Sequence, residues 1–313
     1  MIIESTTNSE KHMSMEKRRR IKGIIVQIIA EVMFGFSFMF TKGATSRATP
    51  LQLLSWRFMT AAILFFILAL LGVFKVNYRG KDLKAVLLLG FLHPICYFLC
   101  ENKGIALTSA SESGTIIATI PIFALLVSSL FLHIKPGRNQ MIGIFITISG
   151  VLILVLSQGS KPTFDPVGYL LLFGAVIAYS FNAAQSTRIA EFTSVEKAGI
   201  MIFSGAVFFT ITDIITEFIS GDLRHFLLLP LSGSSFLSAV LYLGIGSSII
   251  AFTCNNYGIE VLGTTASSSF AALSTLVSVL AGIIFLKEPF TYLQGIATIL
   301  IISGVFITNR VSD

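Results

Sequence analysis

The sequence predicts an all-α membrane protein of ten transmembrane helices arranged as two inverted five-helix repeats. Three observations predict it: too few charges for a water-facing surface, ten apolar runs of spanning length, and an internal duplication at a spacing of 154 residues. Of the 313 residues, 54% are hydrophobic and 12% charged, against about 25% charged in a soluble domain. Most of the surface must therefore face lipid. The net charge of +6 does not point to nucleic acid, because the basic residues cluster in short segments between the apolar runs, where they set topology. Cys96, Cys100 and Cys254 all lie inside apolar runs without metal-ligand or redox spacing and are read as packing residues.

A helix needs about 20 apolar residues to cross the hydrocarbon. The runs are 23–43, 51–73, 84–103, 111–132, 138–157, 166–188, 198–219, 233–256, 263–286 and 291–309. The first follows a polar stretch and the basic cluster Lys17, Arg18, Arg19, Arg20 and Lys22. At about 20 residues it is too long for a signal-peptide core, so it is read as the first membrane helix. Residues 1–21 form a cytoplasmic polar and basic tail, 22–157 the first repeat, 158–165 a linker rich in turn formers, 166–309 the second repeat and 310–313 a second tail. With the N-terminus inside, about 15 of the 22 Lys and Arg fall on the cytoplasmic side. Both termini are thus expected to be cytoplasmic, in a plasma (inner) membrane.

The duplication aligns Leu89–Val151 with Leu243–Val305 without a gap, and about 19 of the 63 positions are identical. Gly90/Gly244, Cys100/Cys254, Asn102/Asn256 and Gln140/Gln294 are among the matches. Five spans is an odd number, so the second copy must sit upside down. Inverted repeats around a central site are the architecture of secondary transporters, whose halves exchange inward-open and outward-open shapes.

Phe34-Gly35 and Lys42 in the first span, Trp56-Arg57-Phe58 in the second, and Ala106-Leu107-Thr108-Ser109-Ala110-Ser111 leading into the fourth form an ordered set. Pro121 and Leu286-Lys287-Glu288-Pro289 complete it. In this order the chain resembles the EamA-type ten-helix members of the drug/metabolite transporter superfamily. It departs from the pattern at Ile134-Lys135-Pro136, where an acidic-Pro ending is absent, and at Thr275, where Pro121 has no mate. The resemblance implies export, or occasionally uptake, of small metabolites such as amino acids. It also implies a central cavity lined mainly by spans 1, 3, 4, 6, 8 and 9.

Polar groups at bilayer depth cost about 2.5–3.5 kcal/mol each on insertion scales, so each needs a reason. In the first span Gln27, Glu31, Phe34, Gly35, Phe38 and Lys42 share one face, which should look inward. Phe34 and Gly35, at i+3 and i+4, cannot pair with Glu31. It is either a proton-exchanging cavity acid or a structural acid hydrogen-bonded to another helix. Gly35 is expected to leave room for solute, with Phe34 and Phe38 covering an apolar part. The third span stacks His93, Tyr97 and Glu101 four residues apart, then Asn102. His93 is read first as a packing residue. Glu101 is read either as a substrate contact or as half of an ion pair with Lys42, Arg57 or Lys103. Tyr179 and Asn182 share a face of the sixth span, and Asn255 and Asn256 end the eighth, so that Asn102 and Asn256 become symmetry mates at opposite mouths. Asp213 and Glu217 are read as interfacial, and Ser267 as packing.

Enzyme classes find no support: the chain has no phosphate loop, no HExxH and no paired-aspartate motif. No metal and no cofactor is expected. The expected partners are a small-molecule metabolite, protons and the lipid bilayer. Export of an amino-acid-like or amphipathic solute by alternating access is the leading reading. A channel-like facilitator without proton coupling and a non-transporting scaffold are the alternatives.

Overall fold

The structure is a computed structural model. It describes residues 2–44, 48–107, 116, 117, 119–157, 165–231, 233–286 and 291–310. All regular structure among them is helical. In order these are α1 (Ile2–Ala44), α2 (Pro50–Leu70), and α3, which runs through Leu83–Gly90, a π-helical Phe91–Cys96 and Tyr97–Leu107. Next come α4 (Ile120–Phe131), α5 (Arg138–Leu156), α6 (Pro166–Arg188) and α7 (Ser194–Ser220). After a short helix at Leu223–Leu228, α8 runs through Ser234–Leu241, a π-helical Tyr242–Ile250 and Ala251–Leu262. The helices α9 (Thr264–Ser269 and Ala271–Leu286) and α10 (Tyr292–Asn309) end the chain.

Among the described residues, seven helices are long and apolar enough to cross a membrane: Met15–Thr41, Pro50–Leu70, Leu83–Gly104, Pro166–Arg188, Ser194–Ser220, Ser234–Leu262 and Tyr292–Asn309. The other three predicted runs are also helical but shorter. α4 starts only at Ile120, with 108–115 outside the described residues; the side chains of α5 are described without a break only over Arg138–Leu154, just short of the length, and α9 is interrupted at Phe270. The whole Thr108-to-Ser111 stretch, Lys287-Glu288-Pro289 and residues 158–164 of the linker also lie outside the described residues.

Helix starts follow from local chemistry. Thr49 and Gln52, Thr193 and Glu196, and Thr291 and Gln294 each close a reciprocal capping box, which satisfies two of the helix's unpaired N–H groups. Asp82 and Asp165 cap α3 and α6. Gly263, at φ 83°, breaks α8 from α9 in a conformation that L side chains avoid.

Helices α5 and α10 pack antiparallel through small residues. A Cβ added at Gly150 would meet the Ala297 carbonyl oxygen and the Ile301 nitrogen at 2.9 Å. One at Gly304 would meet the Gly143 carbonyl oxygen at 2.7 Å and the Thr147 nitrogen at 2.5 Å. A shift of 154 residues turns either set of contacts into the other. The π-helical turns of α3 and α8 occupy matching positions of the two copies as well. Gly304→Ala is expected to destabilise the protein by about 1–3 kcal/mol through overpacking. Gly246→Ala, where the nearest atom stands 3.6 Å away, should leave thermal unfolding in detergent unchanged. Equal melting of the two variants would refute this account of the interface.

Between α2, α3, α7 and α8 a core of Phe58, Phe65, Phe192, Phe209 and Phe252 fills the bundle. At one end, Glu196 accepts from Lys81 Nζ at 2.6 Å and from the Asn77 N–H at 2.7 Å, fastening the α2–α3 connection onto the start of α7.

Candidate functional site

A cavity of about 180 Å³ lies at the centre of the bundle. Its walls come from α1 (Glu31, Phe34, Ser37, Thr41), α2 (Pro50, Leu53, Leu54, Arg57), α3 (His93, Tyr97, Phe98, Glu101, Asn102) and α4 with Ile117 (Ile120, Pro121). The rest come from α6 (Tyr179), α8 (Leu243, Ser247) and α9 (Ala271, Ala272, Ser274, Thr275). Six of these helices are the ones expected. The addition is α2, and with it Arg57.

Arg57 is 5% exposed. Its Nε donates to Ser248 Oγ at 2.9 Å and its Nη2 to Ser247 Oγ at 3.0 Å. The guanidinium also lies 4.9 Å from the Phe98 ring centroid and 5.2 Å from that of Phe58, at cation–π distance. The π-helical turn of α8 is what presents two consecutive serines to one side chain. Those serines stand at the repeat positions of His93 and Pro94, so the two copies put different chemistry on the same bulge. Sequence reading treated Arg57 only as a possible partner for Glu101. The available signal was its position as the one charged residue in the apolar run from Leu51 to Phe74.

Glu31 is 2% exposed and accepts a hydrogen bond from Gln27 Nε2 at 2.9 Å. The donor lies one turn before Glu31 and not at the i+3 and i+4 positions after it. Gln27 Nε2 also donates to Asn255 Oδ1 at 3.0 Å, and Gln27 Oε1 accepts from Ser267 Oγ at 2.9 Å. Tyr179 donates to the same Asn255 oxygen at 3.4 Å. These side chains from α1, α6, α8 and α9 close the cavity beneath Glu31. Gly35 does not give the expected space: a Cβ there would stand 2.5 Å from Val277 Cβ and 2.7 Å from the Ser274 carbonyl oxygen. It is a close-packing contact between α1 and α9.

His93 sits at the α3 kink (φ −142°, ψ 114°) and is 6% exposed. Its ring packs against Tyr97, Phe252 and Phe98 at centroid distances of 4.8, 5.0 and 5.3 Å. Packing thus accounts for the ring, while its Nδ1 has no hydrogen-bond partner. Tyr97 donates to Glu101 Oε1 at 2.7 Å. The ion pairs among the described residues are Arg19–Glu260 and Lys81–Glu196. Glu101 and Arg57 therefore share the cavity without forming a salt bridge.

Of the expected site residues, Glu31, Phe34, His93, Tyr97, Glu101, Asn102 and Tyr179 line the cavity. Asn255 stands behind the wall in the hydrogen-bonded floor. Asn256 lies outside the wall; it accepts from Ser186 Oγ at 2.9 Å and donates to the Phe252 carbonyl at 2.9 Å. Asn182 is also off the wall and donates to the Leu89 carbonyl at 3.2 Å. The side chains of Phe38 and Lys42 lie outside the described residues. Among the described residues, no group of three or more His, Cys, Asp or Glu could hold a metal ion.

The model of the EamA-like transporter family matches residues 21–156 and again 166–310. The transporter YcxC of Bacillus subtilis is 27% identical over 297 residues, covering 94% of this chain and 95% of its own. A probable terminal-alkyne amino-acid exporter of Streptantibioticus cattleyicolor is 24% identical over 232 residues, covering 74% and 75%. A protein of known crystal structure shares the fold with a TM-score of 0.75 at 17% identity, over 91% of this chain and 97% of its own.

Proposed function

Because the chain belongs to the EamA-like transporter family, whose model fits both of its halves, we propose that it is a ten-span secondary transporter that moves a small zwitterionic or amphipathic metabolite by alternating access. The observation that carries this reading is the cavity, with Glu31 and Arg57 on its walls and a hydrogen-bonded floor of Gln27, Asn255, Ser267 and Tyr179 on one side. At about 180 Å³ it is smaller than the roughly 300–1,000 Å³ of drug-sized sites, which favours a small solute. Two acids, Glu31 and Glu101, one guanidinium and aromatic walls suit an amino-acid-like solute with an apolar side chain. The amino-acid exporter among its relatives supports export as the direction.

Inverted symmetry is supported by the α5–α10 interface. Its two sets of contacts interchange under the repeat spacing while the helices run antiparallel. An axis that exchanges two antiparallel membrane helices lies in the membrane plane. The matched π-helical turns add to this. The basic N-terminal segment is assigned to the cytoplasm of an inner-membrane protein.

The test needs no known substrate. Cysteines at Asn102 and Asn256 should be labelled by an impermeant thiol reagent in alternation, with conditions that expose one protecting the other. Labelling of the two sites that never anticorrelates would leave a scaffold or an open channel instead.

A further inference from the structure

Outside the cavity, α2 and α7 enclose a second polar cluster. Thr210, Asp213 and Glu217 share one face of α7 at helical spacing, and Gln52 and Ser55 share one face of α2. Gln52 Nε2 donates to Glu217 Oε1 at 2.9 Å, and Ser55 Oγ to Thr210 Oγ1 at 3.4 Å. Asp213 is 1% exposed, and neither of its carboxylate oxygens has a hydrogen-bond partner. Its polar neighbours are Glu217 and Ser55. These acids are buried between helices.

Among the described residues no basic group answers them. Arg57 is committed to Ser247 and Ser248, and neither acid takes part in the ion pairs of the described residues. Asp222 and Arg224, just beyond the end of α7, are exposed. Two carboxyl groups one turn apart in a low-dielectric setting cannot both remain ionised without a compensating positive charge. The side-chain donor that reaches them is the Gln52 amide, on Glu217.

We propose that Asp213, Glu217, Ser55 and Thr210, with Gln52 Nε2 steadying Glu217, form a binding site for one small monovalent cation, H⁺ or Na⁺, separate from the substrate cavity. The donor set is all oxygen, which suits a hard cation over a transition metal. Ser55 lies two residues before Arg57 on α2, so occupancy here bears on the helix that carries a cavity wall. Use of the site for ion coupling rests on the transporter reading, whereas binding itself does not.

The test uses purified full-length protein in nanodiscs. Thermal unfolding is followed in NaCl against choline chloride at equal ionic strength, then in choline across pH 5–8. For a sodium site, Na⁺ at ten times its dissociation constant raises the wild-type midpoint by about 2 °C. Asp213→Asn abolishes the rise and Ser55→Ala reduces it. For a proton site Na⁺ has no effect, and the wild-type midpoint in choline falls with rising pH as the proton is lost. Asp213→Asn removes that fall. If Asp213→Asn does not fold, the milder Ser55→Ala carries the comparison. Variants that respond to Na⁺ and to pH as the wild type does would overturn the site. Cysteine labelling at Asn102 and Asn256 reads the transport cycle separately, so either idea can fail alone.

Discussion

Glu31→Gln should leave the protein folded and abolish any dependence of solute flux on a pH gradient. The substituted amide keeps the size of the carboxyl and can still accept from Gln27 Nε2, whose bond to Glu31 spans 2.9 Å. What it loses is the ability to take up and release a proton. Glu31 is suited to that role by its place in the cavity wall above the floor of Gln27, Asn255 and Ser267. Opening the floor would bring the same carboxyl within reach of the other side. One proton exchanged per solute converts each unit of pH gradient, about 1.4 kcal/mol, into roughly tenfold accumulation. In reconstituted vesicles the wild type should approach that ratio, and Glu31→Gln should equilibrate without accumulating. A mutant that still accumulates solute with the gradient would make Glu31 a structural acid. A wild type indifferent to pH would leave a facilitator.

Arg57→Gln should weaken binding of a carboxylate-bearing solute by about 10- to 150-fold, the size of a lost hydrogen bond to a charged group at about 1.5–3 kcal/mol. Two of the guanidinium's donors are taken by Ser247 and Ser248, which fix its plane against the Phe98 ring. The remaining donors can serve the solute. Arg57→Lys keeps the charge but loses the planar fork, and should recover only part of the affinity. The informative comparison is leucine against isopentylamine, its decarboxylated amine, with binding measured on purified protein. Arg57→Gln should weaken leucine and spare the amine. An equal loss for both ligands, with a lowered melting temperature, would assign Arg57 to the fold alone.

The class of the protein was legible in the chain because lipid solvation acts on composition and length. An apolar run such as Leu51 to Val73 can be satisfied only as a helix in lipid, whatever it packs against. The duplication was legible for a similar reason: identity at a fixed spacing needs no contacts to be seen. Helix starts at Thr49, Thr193 and Thr291 are equally local, since cap and partner lie three residues apart.

Which residue faces the cavity is a different kind of question. Periodicity assigned Gln27, Glu31, Phe34 and Gly35 to one face of α1, and Glu31 and Phe34 do line the cavity. Gly35, on the same face, is pressed against α9 instead, and Gln27 is taken up by α8 and α9. The rotation of a helix about its axis is set by its neighbours. Asp213 shows the same limit: nothing in its place along α7 tells that packing against α2 buries it. Arg57 was readable as a charge in an apolar run. Its role as a fixed cation in the wall depends on a bulge in α8 some 190 residues away, which turns Ser247 and Ser248 toward it. The sequence by itself determined solvent, capped helix starts and duplication, because these are properties of single segments. The tertiary structure alone decided the cavity, its floor and the α2–α7 cluster, because each is made from side chains on different helices and exists only once their rotations are fixed.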